Sequence, residues 1–190
     1  MLSTSNDELV EDRILDAAAS CLLALGVERV TLAAIARRAG VSRPTVYRRW
    51  PDSRSVIAAL LTTRITAAWT TLAHAGQDRP ALVGRIVAVA AQLRHDEVVM
   101  QVLHHAPELA MVYITERMGA SQRRLVDLVA GELGQAQTAG TVRAGDPRQL
   151  AAMCLLITQS AIQSAQLVSP ILSEAALDAE LAYTLDRYLS

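Results

Sequence analysis

Aromatic side chains are scarce in this chain of 190 residues: they make up 3% of it, and phenylalanine is absent. Hydrophobic residues nevertheless reach 52%, so the core has to be assembled from alanine, leucine, valine and isoleucine. That mixture favours helices, and the sequence shows little of the alternating β-branched pattern that is typical of strands. We therefore predict an all-α protein of about nine helices in total.

Cysteines and recognisable catalytic motifs are also few. Cys21 and Cys154 lie in apolar helical runs, where a small buried thiol is a better interpretation than a disulfide. The polar, acidic residues 1–7 are expected to be disordered and do not resemble a signal peptide, and no apolar run reaches the ~18 residues of a membrane span. We find no HExxH, CxxC, GxSxG or phosphate-binding glycine loop. The sequence thus predicts a cytoplasmic protein that is not an enzyme and needs no metal or cofactor.

The formal net charge is −1, which by itself argues against a nucleic-acid partner, but the charges are unevenly distributed. Residues 1–28 contain six acids and one arginine, whereas residues 29–54 contain seven arginines and one aspartate. All 18 basic residues are arginine. The stretch 29–54 therefore has a formal charge of +6, and such a basic segment is the electrostatic footprint of a nucleic-acid-binding element.

The same basic stretch has the pattern of two short helices joined by a tight turn. Thr31 and Ser42 are suitable N-caps, because a hydroxyl oxygen can accept a backbone N–H of the first turn. Gly40 can end the first helix in a left-handed conformation at little steric cost. Val46 and Trp50, four residues apart, can point back at the first helix. We interpret the stretch as a helix-turn-helix. An ordinary helical hairpin is the alternative, but it does not explain the arginine-rich outer face.

Residues 13–61 resemble the N-terminal domain of TetR-family transcriptional regulators. The shared features are a leading helix, a glycine-containing loop, a threonine that opens the second helix, the run Ile-Ala…Ala-Gly-Val-Ser, and a recognition helix that ends in Tyr-Arg-Arg-Trp. The resemblance implies a helix-turn-helix DNA-binding domain at 8–52, followed by a larger helical ligand-binding and dimerisation domain at 53–190.

The resemblance also implies that residues 42–49 form the helix that recognises DNA. It assigns Thr31, Ser42, Tyr47 and Arg49 to phosphate contacts, and Arg43, Pro44, Thr45 and Arg48 to base edges. Arginine suits guanine because its planar fork meets O6 and N7 together. Two positions depart from the family: Arg49 stands where histidine is common, and Ser53 stands where lysine is frequent. For Arg37 and Arg38, a solvated surface charge is preferred over a DNA contact.

The last two predicted helices, at about 146–168 and 172–189, each carry a stripe of small and apolar residues. The stripes comprise Leu150, Met153, Cys154, Ile157, Ala161, Ser164, Ala165 and Val168 in the first helix, and Leu177, Leu181, Leu185 and Tyr188 in the second. Paired across a two-fold axis, the helices would make a four-helix bundle and a homodimer. The alternative is that both stripes close the monomer's own core. A dimer places its recognition helices about one DNA turn (~34–36 Å) or a related spacing apart, so the operator should be partly palindromic.

A small-molecule effector of apolar character is a further implication of the resemblance. The candidate lining residues are Trp69, Met100, His104, Met111, Tyr113, Met118 and Gln122. For each of them taken singly, packing in the core is the simpler interpretation. The predicted function is a ligand-responsive transcriptional regulator that binds double-stranded DNA, most simply a repressor. The alternatives are a helical protein-interaction module without sequence-specific DNA binding and a small helical enzyme that uses His104 and His105.

Overall fold

The computed structural model describes residues 2–72, 76–106 and 120–190. Within these residues the chain folds into ten α-helices and one 3-10 turn, without a strand. The helices are α1 (Leu2–Leu25), α2 (Leu32–Ala39), α3 (Arg43–Arg49), α4 (Ser53–Thr71), α5 (Arg79–Arg94), α6 (Glu97–His105), α7 (Ala120–Thr138), α8 (Pro147–Gln163), α9 (Ala165–Val168) and α10 (Glu174–Leu189), and the 3-10 turn is Val27–Arg29. The predicted all-α class is confirmed. Among the described residues, no helix is both long and apolar enough to span a bilayer.

The described residues divide into two compact units. The first unit consists of residues 2–64 and 97–106, and the second of residues 65–72, 76–96 and 120–190. These units describe packing, and the predicted functional division at 8–52 and 53–190 stays a prediction.

The first unit is built on the apolar face of α1. The fully buried large side chains of this unit are Ile14, Leu22, Ile35, Val46, Val56 and Val98. Burying one such side chain is worth roughly 1.5–3 kcal/mol relative to leaving it exposed. Gly26 ends α1 with a φ of +78°, and Val27 and Val30 are buried just after it.

The prediction that residues 1–7 are disordered is wrong for residues 2–7, since α1 begins at Leu2 rather than near Glu8. The side chain of Asp7 forms an ion pair with Arg49, at the end of α3. A tertiary contact of this kind favours helical order in a segment whose polar composition alone suggests none.

Polar contacts join antiparallel helices of the second unit at the margin of its apolar core. Helix α10 is paired with α5 at both ends: Arg79 Nε lies 2.8 Å from Asp186 Oδ1, Arg94 Nη2 lies 2.5 Å from Asp178 Oδ1, and His95 Nε2 lies 3.3 Å from Glu174 Oε2. Helices α7 and α8 are joined by a hydrogen bond of 3.1 Å from Gln122 to Gln159 and an ion pair of 2.9 Å between Arg148 and Asp127.

The predicted dimerisation stripes are wrong at several positions. Leu150, Cys154, Leu181 and Leu185 are all buried within the second unit, so they close the monomer's own core. The large apolar side chains that α8 to α10 and the turn before α10 expose are Met153, Leu156, Leu167, Ile171 and Tyr183, with Leu167 and Ile171 more than three-quarters accessible. The predicted stripes thus mix buried residues with the exposed Met153 and with half-buried positions such as Ile157 and Leu177.

Candidate DNA-binding surface

The two short helices of the first unit are capped as their sequence predicts. Thr31 Oγ1 accepts the backbone N–H of Ala34 at 3.2 Å, and Ser42 Oγ accepts that of Thr45 at 3.3 Å. Gly40 ends α2 with a φ of +64°, a left-handed conformation that costs other residues more. Pro44 lies in the first turn of α3, where its missing N–H removes no intrahelical bond. The start of each helix is therefore set by a local side chain, and α2 ends at a glycine.

Helix α3 is anchored by Val46 on its inner face and by Trp50, the residue that follows its last turn. Val46 is fully buried and Trp50 is 8% exposed. They lie in the core to which Ile35 and Ala36 of α2 also contribute. A small residue such as Ala36 lets two helices cross closely, which is the requirement of a helix-turn-helix. Packing on this side fixes which side chains α3 turns towards solvent.

A hydrogen bond joins this motif to α1, and the sequence analysis did not predict it. Arg13 Nη2 donates a hydrogen bond of 2.7 Å to the carbonyl oxygen of Ala39, in the last turn of α2. The last carbonyls of a helix have no intrahelical partner, so a guanidinium is a suitable donor for them. The two residues are 26 positions apart, and no local pattern indicates their contact.

Most of the predicted DNA-contact residues are accessible on the first unit. Thr31, Ser42, Arg43, Pro44, Tyr47 and Arg48 are exposed, and Thr45 is half-buried. The hydroxyls of Ser42 and Thr45 also lie 2.7 Å apart and share a hydrogen bond. Between them they therefore keep one hydroxyl hydrogen that can be donated outward.

Arg49 differs from these residues, because the protein itself engages its guanidinium. Its side chain is only 13% exposed and forms an ion pair with Asp7. Its Nη1 also lies 3.4 Å from the carbonyl oxygen of Thr45. A phosphate that contacts Arg49 therefore has to compete with a carboxylate of α1. Sequence reasoning missed Asp7, which lies 42 positions away along the chain.

An open cleft of about 390 Å³ lies between α2 and the start of α3. It is lined by Thr31, Ala33, Ala34, Ala36, Arg37, Val41 and Arg43. The lining contains two arginines and a hydroxyl but no carboxylate, and its other members are small or aliphatic. The cleft is therefore open to solvent, bordered by positive charge and free of bulky apolar side chains.

Asp52, the one acid in the basic stretch 29–54, caps the next helix. Its Oδ1 accepts the backbone N–H of Ser55 at 2.7 Å and the hydroxyl of Ser55 at 2.8 Å. The hydrogen bonds from Ser55, together with the charge of Arg54, hold the pKa of this carboxyl below its ordinary value. Asp52 therefore stays ionised at neutral pH and stabilises the start of α4.

The predicted effector-pocket residues are distributed over both units. Trp69 is buried and Gln122 half-buried in the second unit, whereas Met100 is half-buried and His104 exposed on α6 of the first. Met111, Tyr113 and Met118 lie outside the described residues. The pocket stays a prediction.

Around Trp69 the second unit holds a buried polar cluster that sequence reasoning missed. The Arg85 guanidinium lies 4.4 Å from the centre of the Trp69 ring, a cation–π contact. Arg85 Nη2 donates to the carbonyl oxygen of Trp69 at 2.5 Å, and its Nη1 lies 2.5 Å from Glu132 Oε1. These contacts give Trp69 a structural role in packing.

Neither the histidines nor the cysteines form a reactive site in the part of the chain that the structure describes. His104 and His105 are both exposed, with ring centres 6.4 Å apart. No group of three His, Cys, Asp or Glu side chains is arranged to hold a metal ion among the described residues. Cys154 is buried and free, and burial raises the pKa of its thiol to about 11. It is therefore a poor nucleophile at neutral pH.

Known proteins resemble this chain at two levels. Residues 14–60, which span α2, α3 and their flanks, match the family model for bacterial regulatory proteins of the tetR family. A protein of Mycobacterium bovis, named as an uncharacterized HTH-type transcriptional regulator, is 57% identical over 190 residues and is matched over 100% of both chains.

Solved structures of regulators share the fold. The transcriptional repressor QsdR of R. erythropolis, from the TetR family, superposes with a TM-score of 0.71 at 19% identity and covers 96% of this chain and 95% of its own. FadR of Bacillus subtilis in complex with stearoyl-CoA gives a TM-score of 0.59 at 19% identity, with 94% of this chain and 98% of its own covered. With the family-model match and the full-length relative, the assignment is plain: this chain belongs to the tetR family of bacterial regulatory proteins.

Proposed function

We propose that this protein is a ligand-responsive repressor, which binds a partly palindromic operator as a homodimer and is released by a small, apolar effector. The observation that carries the proposal is the surface presented by α3. This helix is capped at Ser42 and anchored by Val46 and Trp50, and it exposes Arg43 and Arg48 to solvent. An anchored helix with outward arginines is what major-groove recognition requires. The DNA-binding domain is proposed at 8–52 and the effector-binding domain at 53–190.

The proposed contacts divide into those that read sequence and those that set register. Arg43 and Arg48 are the candidates for bidentate bonds to guanine, each worth ~1–3 kcal/mol of discrimination against a wrong base. Pro44 and Thr45 are proposed to contact base edges, with apolar atoms suited to a thymine methyl. Thr31, Ser42, Tyr47 and Arg49 are proposed to bind phosphates, which positions the helix without reading sequence.

Dimerisation is proposed through α8 and α10, the helices predicted at 146–168 and 172–189. The exposed side chains of Met153, Leu156 and Tyr183 support this proposal. Large apolar side chains that remain accessible in a monomer are typical of association surfaces. The proposed four-helix bundle therefore uses the outer faces of these helices, because their inner faces are already packed.

The effector is proposed to act by shifting a conformational equilibrium. The structurally similar FadR was solved with stearoyl-CoA, which supports a ligand with a long apolar part. We propose that the ligand tilts α4, a helix with residues in both units, and so changes the spacing of the two recognition helices. A ~10–100-fold preference of the ligand for the released form corresponds to ~1.4–2.8 kcal/mol.

Genome-wide recovery of DNA fragments bound by the protein tests the proposal, followed by binding measurements on a recovered fragment. We expect Arg43→Ala to weaken specific binding by ~1–3 kcal/mol, or roughly 5- to 150-fold, and to relax one base position. Tyr47→Phe should weaken binding to all sequences to a similar degree, because a phosphate contact carries no sequence information. Wild-type protein that shows no preference for any recovered fragment would favour the helical interaction module instead.

A further inference from the structure

Two adjacent arginines of α2 have different surroundings, although the sequence pattern gives no reason to distinguish them. Arg37 and Arg38 are both exposed. Arg37 lines the open cleft beside α3, together with Arg43 and Thr31, whereas Arg38 is not among the residues of that lining. Both side chains are therefore charged and exposed, but only that of Arg37 lines the cleft.

We propose that Arg37 is a DNA-backbone contact, and that it closes on a phosphodiester together with Thr31 in the cleft between α2 and α3. This inference rests on the proposed function, because it names a further residue of the same DNA-binding surface. Arg43 belongs at once to the cleft lining and to the face of α3 proposed to read bases. DNA bound at Arg43 thus brings its own backbone to the cleft mouth.

The chemistry of the cleft suits a phosphodiester. Two guanidinium groups border it without a carboxylate in the lining, and guanidinium groups match phosphate geometry with paired N–H donors. The Thr31 hydroxyl accepts the N–H of Ala34, which leaves its own hydrogen to donate. Ala33 and Ala34, half-buried at the cleft wall, are small enough for the DNA backbone to approach α2 closely.

The test compares Arg37→Ala with Arg38→Ala, its neighbour of equal charge. Binding to a labelled recovered fragment, and to a scrambled duplex of the same composition, is measured by anisotropy between about 50 and 200 mM salt. We expect Arg37→Ala to weaken binding to both duplexes about five- to tenfold near 0.1 M salt, and to lower the slope of log K against log salt by about 0.9. Arg38→Ala should change the slope by clearly less.

Further variants make the outcomes distinguishable. Arg37→Lys should retain most of the slope, since lysine keeps the point charge but loses the paired donors. Equal slopes for the Arg37→Ala and Arg38→Ala proteins would overturn the inference, and so would a loss confined to the recovered fragment. If Arg43→Ala weakens specific binding in the same series, the proposed function stands even where this inference fails. If wild type binds neither duplex, both fail together.

A titration with inorganic phosphate separates the DNA backbone from a free anion as the occupant. At equal ionic strength, phosphate should displace the labelled duplex no more than chloride does. A single phosphate ion does not bind as tightly as a phosphodiester that the whole interface holds. The cleft would be reassigned to a free anion if phosphate displaced the duplex at a concentration where chloride has no effect, and did so from wild type but not from Arg37→Ala.

Discussion

Arginines of the helix-turn-helix and arginines of α5 meet opposite surroundings in this protein. In α2 and α3, four of them are exposed to solvent: Arg37, Arg38, Arg43 and Arg48. In α5, three are paired with carboxylates of other helices: Arg79 with Asp186, Arg85 with Glu132 and Arg94 with Asp178. The second group has side chains that are 26%, 7% and 4% exposed, respectively.

Whether an arginine is exposed or paired therefore depends on where the nearest carboxylate lies in the fold. The formal net charge of −1 sums over both groups and therefore reveals neither the exposed arginines nor the paired ones. In the basic stretch, the single acid Asp52 is used to cap α4, so the exposed charges are not cancelled locally. In α5, by contrast, each arginine is paired with a carboxylate of another helix. The predictions below test this contrast.

The largest expected effect is the loss of the carboxylate at Glu132. In Glu132→Ala the buried Arg85 guanidinium loses the partner that its Nη1 contacts at 2.5 Å. Breaking a buried ion pair from one side costs about 3–5 kcal/mol, and the lower end is expected because Glu132 is 17% exposed. The free energy of unfolding, measured with urea, should fall by about 3 kcal/mol.

Two further variants serve as controls for Glu132→Ala. Arg148→Ala removes an ion pair with Asp127 whose side chains are 67% and 54% exposed, so it should cost less than about 1 kcal/mol. Arg48→Ala in α3 should leave the free energy of unfolding within about 0.5 kcal/mol of wild type. If Arg48→Ala and Glu132→Ala destabilise the protein equally, the division into exposed and structural arginines is wrong.

The local features of this molecule could be predicted from the sequence, whereas contacts between residues far apart along the chain could not. The caps at Thr31 and Ser42 and the left-handed Gly40 depend on neighbours within a few residues, so their pattern is visible in the sequence. The pair between Arg85 and Glu132 joins positions 47 apart, and nothing local marks either residue.

The same limit explains the dimerisation stripes. On α8 both the inward face with Leu150 and Cys154 and the outward face with Met153 and Leu156 are apolar. Helical periodicity alone does not tell which of two apolar faces meets the core. Only the positions of the neighbouring helices decide this, and for α8 they bury the face that holds Leu150.

A smaller effect is expected at the cap of α4. Replacing Asp52 by alanine removes the acceptor of two hydrogen bonds from Ser55. Because this cap is exposed, the loss should lie near the low end of the usual range, about 0.5–1 kcal/mol at pH 7. Asp52→Asn is the control, since asparagine also caps well but carries no charge.

The pH dependence of the cap gives a second measurement. The pKa of Asp52 is lower in the folded protein because the carboxylate accepts hydrogen bonds from Ser55. The stability that this shift contributes is present above the ordinary carboxyl pKa and is lost as the pH falls through the lowered, folded value. Wild type should therefore exceed Asp52→Asn most at neutral pH, and the two should converge in acid. A gap that widens towards low pH would contradict this account of the cap.

The smallest expected effect concerns the one arginine of α3 that breaks the contrast. Arg49 belongs to α3, yet it is paired with a carboxylate, Asp7, as the α5 arginines are. Asp7→Asn should free the guanidinium for a phosphate and raise DNA affinity about twofold, because Asp7 is 69% exposed and such pairs are worth only ~0–1 kcal/mol. Anisotropy measurements with Glu8→Gln, a neutralised neighbour on the same helix, control for the change in net charge. Equal gains from both variants would mean that long-range repulsion alone is relieved, whereas a loss with Asp7→Asn would mean that the carboxylate positions Arg49 for DNA instead of competing with it.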